Sequence, residues 1–326
     1  MNVWITGGAG FIGSALAKQL NANGIKDIVV IDDLTNGEKF SNLKKIEYLE
    51  FLDIEDFLKK LDTNSLDKPH CIFHQGAITD TMERNGKLMF KYNYTFSIKL
   101  FNWAIEKEIP FIYASSAAVY GLNETCIENH LYENPINIYG YSKLAFDNYV
   151  RKKINDLTSQ VVGLRYFNVY GYGEEHKGKM SSSIFQFYNQ YKKNKKIKLF
   201  GDYLNFEKGK QCRDFIYIDD VVNTILWFYK NINISGIFNL GTGRVASFNE
   251  IARVIIGNHI PVDDQNFNKI IEYIKFPEEL IGRYQNYTLA NMDSIKKFGF
   301  ENNFFNVEQG IAKYIKKLKN DQVWLT

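Results

Sequence analysis

Asn2-Val3-Trp4-Ile5-Thr6-Gly7-Gly8-Ala9-Gly10-Phe11-Ile12-Gly13 is the stretch whose reading decides the fold. Its apolar run, Val3 to Ile5, breaks into glycines. A helical pattern then begins, with Ile12, Ala15, Leu16, Gln19 and Leu20 at spacings of three and four. The order reads as strand, tight turn, helix. Gly7, Gly10 and Gly13 each have a physical task in such a turn. One permits the turn, one lets backbone approach a pyrophosphate, and one lets helix pack close on strand. The phosphates then rest on free N–H groups at the positive end of the helix dipole. A second apolar run, Val29-Val30-Ile31, ends at Asp32. An acid about twenty residues beyond the glycines stands where a ribose hydroxyl needs an acceptor. The combination predicts a dinucleotide site; a glycine turn kept only for packing is the bland alternative.

The totals narrow the class. The chain has 326 residues, 45% hydrophobic and 24% charged, which suits one large or two closely joined globular domains. A net charge of +3 is too small to argue for nucleic acid. No apolar run approaches the roughly eighteen residues of a membrane span, and no charged-then-apolar leader precedes the first strand. Cys71, Cys126 and Cys212 lie apart with no metal-ligand spacing. That is the pattern of a reduced, cytoplasmic protein without a metal centre. The 25 phenylalanines and 21 tyrosines favour a large core and a site able to stack rings.

Apolar runs continue at Ile46–Leu52, which alternates weakly, and at Cys71-Ile72-Phe73-His74, Phe111–Ala114 and Val161–Tyr166. Helical patterns separate them: Ile54 to Leu61, Gly86 to Lys107, and Tyr139 to about Asn155. Strand and helix in alternation predict a doubly wound parallel α/β sheet of the Rossmann type. Its ligands bind beyond the C-terminal strand ends. The glycine turn, Asp32, Gln75-Gly76-Ala77 and Ser115-Ser116 all fall there. Asp53 reads either as the N-cap of the next helix or, with Ile54, as a neighbour of an adenine. His74 reads as a strand or core residue, because no second metal ligand is near it. Beyond Phe167 the rhythm weakens. Ile184–Tyr191 is helical, and five lysines between Tyr191 and Lys198 read as a solvated loop. Phe215–Asp220 and Ile237–Gly243 add strands and turns, with no linker or repeat.

Tyr139-Gly140-Tyr141-Ser142-Lys143 carries the chemistry. On a helix Tyr139 and Lys143 share one face, roughly 5–6 Å apart at Cβ. Free tyrosine, with a pKa of about 10, is a poor base at neutrality, and a nearby ammonium favours its phenolate. Ser116, at the preceding strand end, is able to bond the same substrate oxygen. This is a proton-transfer set for interconverting alcohol and carbonyl beside a nicotinamide. Taken alone, a tyrosine–lysine pair on a helix is ordinarily structural.

With these residues together, the chain resembles the extended short-chain dehydrogenase/reductases that act on nucleotide sugars. Ala114–Gly121, Tyr139–Lys143, Arg165–Gly171, His176-Lys177-Gly178, Ser235–Arg244 and Gly282-Arg283-Tyr284-Gln285 are similar to the ADP-L-glycero-D-manno-heptose 6-epimerase family. The resemblance spans essentially the whole chain. It implies a bacterial, cytoplasmic enzyme of lipopolysaccharide inner-core synthesis that binds NADP, with NAD as the other option. The reaction would convert ADP-D-glycero-D-manno-heptose to its L-glycero epimer at C6, through transient oxidation to a carbonyl and re-reduction. A homo-oligomer, a pentamer, is implied as well. So is a smaller interleaved α/β substrate domain, formed by 168–212, 242–286 and 304–326. Residues 1–167, 213–241 and about 287–303 would form the NADP-binding domain.

Position by position, the resemblance implies a catalytic set of Tyr139, Lys143, Ser116 and Lys177, the last a second acid/base on a glycine-rich segment; unaided, Lys177 reads as a surface lysine. Besides the three glycines, Phe11, Ile12, Asp32, Asp33, Lys39, Asp53, Ile54, Gln75, Gly76, Ala77, Ile78, Thr79, Asn93, Lys143, Val169 and Lys177 would line the cofactor. Ser116, Asn168, Lys179, Gln186, Phe200, Gly201, Asp202, Tyr203, Arg213 and Tyr284 would line the ADP-sugar, with Arg213 suited to a diphosphate. Lys179, Gln186 and Asp33 stand where that family often has serine, histidine and asparagine, and Glu207–Cys212 lengthens the loop before Arg213. Two other readings stay open: another nucleotide-sugar epimerase or a dehydratase, and a non-catalytic dinucleotide-binding protein. Ala117-Ala118 offers none of the acids a dehydratase usually places after Ser116.

Overall fold

The computed structural model describes residues 2–301 and 303–323. β1 (Val3–Thr6) enters the glycine turn and α1 (Phe11–Ala22) follows. β2 (Ile28–Asp32) leads through a 3-10 turn, Gly37–Lys39, into the short α2 (Phe40–Leu43). Then come β3 (Glu50–Asp53), α3 (Ile54–Asp62) and β4 (Cys71–His74). The expected strand at Ile46–Leu52 is shorter and later. Ile46 still bonds back to Leu43 O at 3.1 Å, so pairing starts only at Glu50.

The long helix expected from Gly86 to Lys107 is present but not uniform. α4 (Gly86–Phe90) and α5 (Phe96–Glu106) flank a π turn, Lys91–Thr95. π turns inside helices often mark functional positions, and this one places Asn93. β5 (Phe111–Ser116), α6 (Ile138–Arg151) and β6 (Val161–Tyr166) complete the first alternation.

The later half interleaves. β7 (Asn168–Tyr170), α7 (Ser183–Asn194), β8 (Ile197–Phe200), β9 (Cys212–Arg213) and β10 (Phe215–Tyr217) come first. α8 (Ile218–Lys230), β11 (Gly236–Leu240), β12 (Ala246–Ser247) and α9 (Phe248–Gly257) follow. α10 (Asp264–Ile270), β13 (Ile271–Ile274), α11 (Asp293–Lys296) and α12 (Val307–Val323) end the chain. The lysine run is not one loop: it ends α7, turns at Lys195 with φ 53°, and enters β8. Its lysines are exposed, as a solvated run should be.

The central sheet has the order β11-β6-β5-β4-β1-β2-β3, and every pair is parallel. Parallel sheets need helices on both faces, and the burial pattern follows from that. Val3, Ile5, Val30 and Phe73 point into one core with α1 and α8. Trp4, Val29, Ile31 and Ile72 point into the other, with α3, α5 and α6. Trp4 stacks on Trp103, centroids 5.1 Å apart, and meets Phe57 edge-on at 5.4 Å. Three two-stranded sheets, β10-β7, β12-β9 and β13-β8, build the cap over the C-terminal strand ends.

The order reverses between β1 and β4, and the glycine turn sits at that reversal. Gly7 has φ 67°, and a Cβ there would lie 2.6 Å from the backbone of Gly76. A Cβ on Gly13 would lie 2.2 Å from Gly7 O. Both positions are closed to any side chain, so strand, turn and helix touch backbone to backbone.

Candidate active site

Beyond the strand ends lies an open cavity of about 940 Å³. Both halves of the chain line it. Phe11, Ile12, Gln75, Ala77, Thr79, Ser116, Tyr139, Lys143, Asn168, Val169 and Lys177 surround it, with Lys179, Gln186, Phe200, Arg213 and Tyr284 at the cap. Gly7, Gly10, Gly13, Asp32, Asp33, Lys39, Asp53 and Ile54 are not in its lining; they follow the strand-end edge toward β2 and β3.

That edge has the donor set of a dinucleotide cradle. α1 opens on Gly10, which gives no side-chain cap, so the first N–H groups are left for an anion. Asp32 is already oriented. Its Oδ2 accepts from Ala9 N at 2.7 Å; its Oδ1 accepts from Asp33 N at 2.7 Å and from Lys39 Nζ at 3.0 Å. Lys39 Nζ also donates to Asp33 O at 2.7 Å. Asp33 turns its carboxylate to Thr35, whose hydrogen bonds hold its pKa below the usual range against partial burial. Asp53 is the N-cap of α3, accepting from Glu55 N at 2.8 Å.

The loop after β4 is clamped from the π turn. Asn93 is buried; its Oδ1 accepts from Ile78 N at 2.8 Å, and its Nδ2 donates to Ile78 O at 2.9 Å and Ser142 Oγ at 3.1 Å. Asn93 thus fixes Ile78 against α6, and its own side chain is spent on protein. His74 is a satisfied core residue. Thr6 Oγ1 and Ser97 Oγ lie 2.7 and 2.8 Å from its ring nitrogens, and burial lowers its pKa to about 3.

Tyr139 opens α6. Asn137 caps the helix, accepting from Gly140 N at 2.8 Å, and Gly140 packs so close that a Cβ would meet Ala118 O at 2.6 Å. This contact brings the helix start against the end of β5. Ser116 Oγ accepts from Ala118 N at 3.1 Å, and its side chain also hydrogen-bonds Tyr139. Burial raises the Tyr139 pKa and the Ser116 hydrogen bond opposes that rise. Lys143 is buried and donates from Nζ to Ala114 O at 2.8 Å. Burial lowers its pKa to about 8, against the opposing charge of Asp147.

Beneath this pair is a buried network that the sequence did not disclose. Asp147 accepts from Tyr113 Oη at 3.0 Å, Ser115 Oγ at 2.9 Å and Arg165 Nε at 3.0 Å. Arg165, fully buried, reaches on to Tyr120 Oη at 3.0 Å and Glu133 Oε1 at 2.6 Å. Buried charges of both signs are tolerable only when paired and bonded in this way.

Lys177 also lines the cavity, from a 3-10 turn spanning Glu175–Met180. Burial lowers its pKa and Glu174 opposes that. Gln186 donates to Lys179 O at 3.0 Å and Ser181 O at 2.8 Å, so it braces the segment, while Lys179 is exposed at the cavity mouth. Asn168 Nδ2 bonds Asp214 O and Thr288 Oγ1, at 3.1 and 3.0 Å.

The cap end is aromatic. Phe200, Phe276 and Tyr284 lie 5.2 to 5.6 Å apart, and the Arg213 guanidinium sits 4.7 Å over Tyr284. Gly201, Asp202 and Tyr203 do not line the cavity. Tyr203 stacks on Phe276 at 3.8 Å and accepts from Gly282 N, and Asp202 accepts from Lys208 N. The Glu207–Cys212 loop is tied down: Gly209 N bonds Phe200 O, and Asn249 N bonds Gly209 O. Arg213, which follows it, lines the cavity. The cavity also takes in Arg84, Phe248 and Arg283. Only Arg283 had a signal, its place beside Tyr284.

The NAD dependent epimerase/dehydratase family matches this chain over residues 3–241. The chain belongs to that family. One similar solved structure is ADP-L-glycero-D-manno-heptose-6-epimerase of Helicobacter pylori: 33% identity, TM-score 0.82, 98% of this chain and 96% of that one covered. UDP-glucose 4-epimerase of Thermotoga maritima, solved with UDP-glucose, is 26% identical with a TM-score of 0.79, covering 99% of this chain and all of that one. UDP-glucose 4-epimerase of Thermus thermophilus, a complex with NAD, shares the fold at 22% identity and a TM-score of 0.76, covering 98% and 99%. Membership makes this chain an enzyme of the nucleotide-sugar epimerase/dehydratase type, with a Rossmann sheet for a nicotinamide dinucleotide. Among the described residues no helix is long and apolar enough to cross a membrane, and no group of three potential metal ligands occurs.

Proposed function

We propose that this enzyme is an NADP-dependent ADP-glyceromanno-heptose 6-epimerase, converting ADP-D-glycero-D-manno-heptose to ADP-L-glycero-D-manno-heptose for lipopolysaccharide inner-core synthesis. The observation that carries the proposal is Tyr139 and Lys177 lining one cavity from unrelated elements. The full-length likeness to the Helicobacter pylori enzyme supports the choice of sugar. NADP is favoured by Lys39, a cation held at the β2 end between Asp32 and Asp33; NAD remains the alternative. The same reading makes it a cytoplasmic homo-oligomer, a pentamer. It also assigns 1–167, 213–241 and about 287–303 to the cofactor and the remaining segments to the substrate.

The cradle fits such a cofactor by its uncapped helix start and by an Asp32 held in place by Ala9 N, Asp33 N and Lys39. A nicotinamide dinucleotide held there would supply the hydride acceptor and donor. The chain's own residues move the proton. Tyr139, with Ser116 beside it and the Lys143 ammonium on its helix, removes the proton from the C6 hydroxyl of one epimer. The C6 carbonyl then presents its other face. Lys177 gives the proton to that oxygen from the opposite side. Arg213 holds the diphosphate by paired N–H donors, and the aromatic cap receives the base.

The test is turnover of ADP-D-glycero-D-manno-heptose beside UDP-glucose and UDP-N-acetylglucosamine, with products resolved by NMR. Inversion of the heptose alone is expected. Turnover of a UDP-hexose with the heptose inert would overturn the proposal. Mass spectrometry of the purified protein should show NADP; NAD alone would overturn that part.

A further inference from the structure

Lys177 stands on a short 3-10 turn that breaks at Gly178, not on a regular α-helix. Gly171, Gly173 and Gly178 all have positive φ, at 141°, 93° and 53°. Such residues joint a chain. Side chains from outside the reacting set hold the segment.

Glu174 is fully buried. Its Oε1 accepts from Gly171 N at 3.1 Å and from Ser182 Oγ at 2.8 Å, and its Oε2 accepts from Ser182 N at 2.5 Å. One carboxylate therefore ties the first residue of the segment to the last. Ser182 is also the N-cap of α7, accepting from Phe185 N at 3.2 Å, so the segment hangs from a regular helix. Glu174 O accepts from Lys177 N at 3.0 Å. The same carboxylate opposes the burial that lowers the Lys177 pKa.

Asn42 is buried on the other flank. Its Nδ2 donates to Ala9 O and to Gly173 O, both at 3.1 Å, and lies 3.5 Å from His176 Nδ1. Asn36 Nδ2 donates to His176 O at 3.2 Å. Ala9 belongs to the glycine turn, and Asn42 follows Lys39 in the same short helical run. The Lys177 ammonium lies 5.4 Å over the ring of Phe11, the first residue of α1.

We propose that Glu174 and Asn42 are positioning residues that dock the Lys177 segment on the dinucleotide turn, so that cofactor seating and the second acid/base form one mechanical unit. The proposal rests on Lys177 acting as that acid/base. Asn42 is the joint: one amide bonds the turn and the segment at once. A displacement of about 1 Å costs on the order of 10²-fold in rate, so a loosened brace reads out strongly at Lys177 and not at Tyr139.

Glu174→Gln and Asn42→Ala, in the full cofactor-loaded protein, are the variants. In the first arm, kcat for epimerisation should fall about 10- to 100-fold with KM nearly unchanged. The dismutation half-reaction served by Tyr139, measured on an ADP-hexose dialdose analogue, should stay at the wild-type rate. Equal loss of both half-reactions would overturn the proposal. The second arm uses no substrate: trypsin cleavage after Lys177 and Lys179, followed by mass spectrometry. Cleavage there should quicken about tenfold in both variants, with other sites unchanged. In protein first stripped of its cofactor, added NADP should slow it in the wild type and not in Asn42→Ala. Unchanged cleavage, or equal protection by NADP in Asn42→Ala, would overturn the proposal. A wild type that leaves ADP-heptose untouched refutes the proposed function in the first arm, while the second still tests the brace. Ser182→Ala, which removes the Oγ leg and the α7 cap but keeps the Ser182 N leg, is read the same way should Glu174→Gln not fold.

Discussion

Tyr139 and Lys177 face one cavity from two kinds of structure. Tyr139 stands in α6, a helix of 14 residues capped by Asn137. Its neighbours are anchored several times over: Lys143 to Ala114 O, and Asp147 to Tyr113, Ser115 and Arg165. Lys177 stands on a jointed run held by Glu174 and Asn42. The first arrangement keeps one pose and resists the loss of any single contact. The second takes its geometry from a few distant side chains, and one of those touches the cofactor turn. The proposed two-base epimerisation would use such asymmetry, one proton handler meeting the oxygen from a side the other does not reach.

The largest expected effects test that asymmetry directly. Tyr139→Phe keeps the ring and loses the proton, so epimerisation should fall about 10²- to 10⁴-fold while cofactor still binds. Lys177→Met should block epimerisation too, yet spare hydride transfer in the pose that Tyr139 serves. Dismutation of the dialdose analogue separates the two variants, each of which should keep the half-reaction the other loses. If both lose the same half, the two sides do not divide the work, and Lys177 is a contact to cofactor or phosphate.

A smaller effect belongs to the cofactor end. Lys39→Ala removes a cation that now neutralises Asp32 and lies on the run leading to Asn42. Charged hydrogen bonds contribute about 1.5–3 kcal/mol, so NADP affinity should drop roughly 10- to 100-fold. NAD, without the 2′-phosphate, should lose far less. Isothermal titration with both dinucleotides measures the ratio, and equal losses would remove Lys39 from cofactor choice.

The same contrast explains what could be read from the sequence. The glycine turn, the strands and the Tyr139–Lys143 spacing are local patterns with a fixed period, so each was legible from a few adjacent residues. The brace on Lys177 was not: Asn42 and Gly173 are 131 residues apart in the chain. Asp147 was hidden for a similar reason. It looks like any polar helix residue until Arg165, from β6, is seen beside it. Asn93 was placed near the cofactor by resemblance, but its role as a clamp on Ile78 depends on a π turn that no apolar spacing signals. The aromatic cap needs Phe276 from a separate strand connection, and single aromatics in a chain rich in them carry little information.

The smallest expected effect is on stability, and it probes the rigid side. Lys143 is buried with its pKa lowered from 10.5 to about 8. Below pH 8 both the folded and unfolded chains hold this proton, and the fold carries the cost of a buried cation. Between pH 8 and 10.5 the unfolded chain binds the proton and the folded one does not, so this group makes stability rise with pH across that window. The shift corresponds to a cost on the order of 3 kcal/mol at neutrality. Lys143→Met removes that cost and leaves Ala114 O without its donor, a loss of about 1 kcal/mol or somewhat more. Relief of the buried charge outweighs the lost hydrogen bond. At pH 7 the variant, though inactive, should be more stable than the wild type by about 1–2 kcal/mol. Other lysines and the buried tyrosines titrate over the same range, so the quantity to follow is the difference between variant and wild type in urea midpoint at pH 7, 8, 9 and 10. The advantage of Lys143→Met should shrink as pH rises past 8. A difference that stays flat would mean that Lys143 carries no lowered pKa in the folded chain, and the strain stored on the Tyr139 side would then have to come from somewhere other than a desolvated amine.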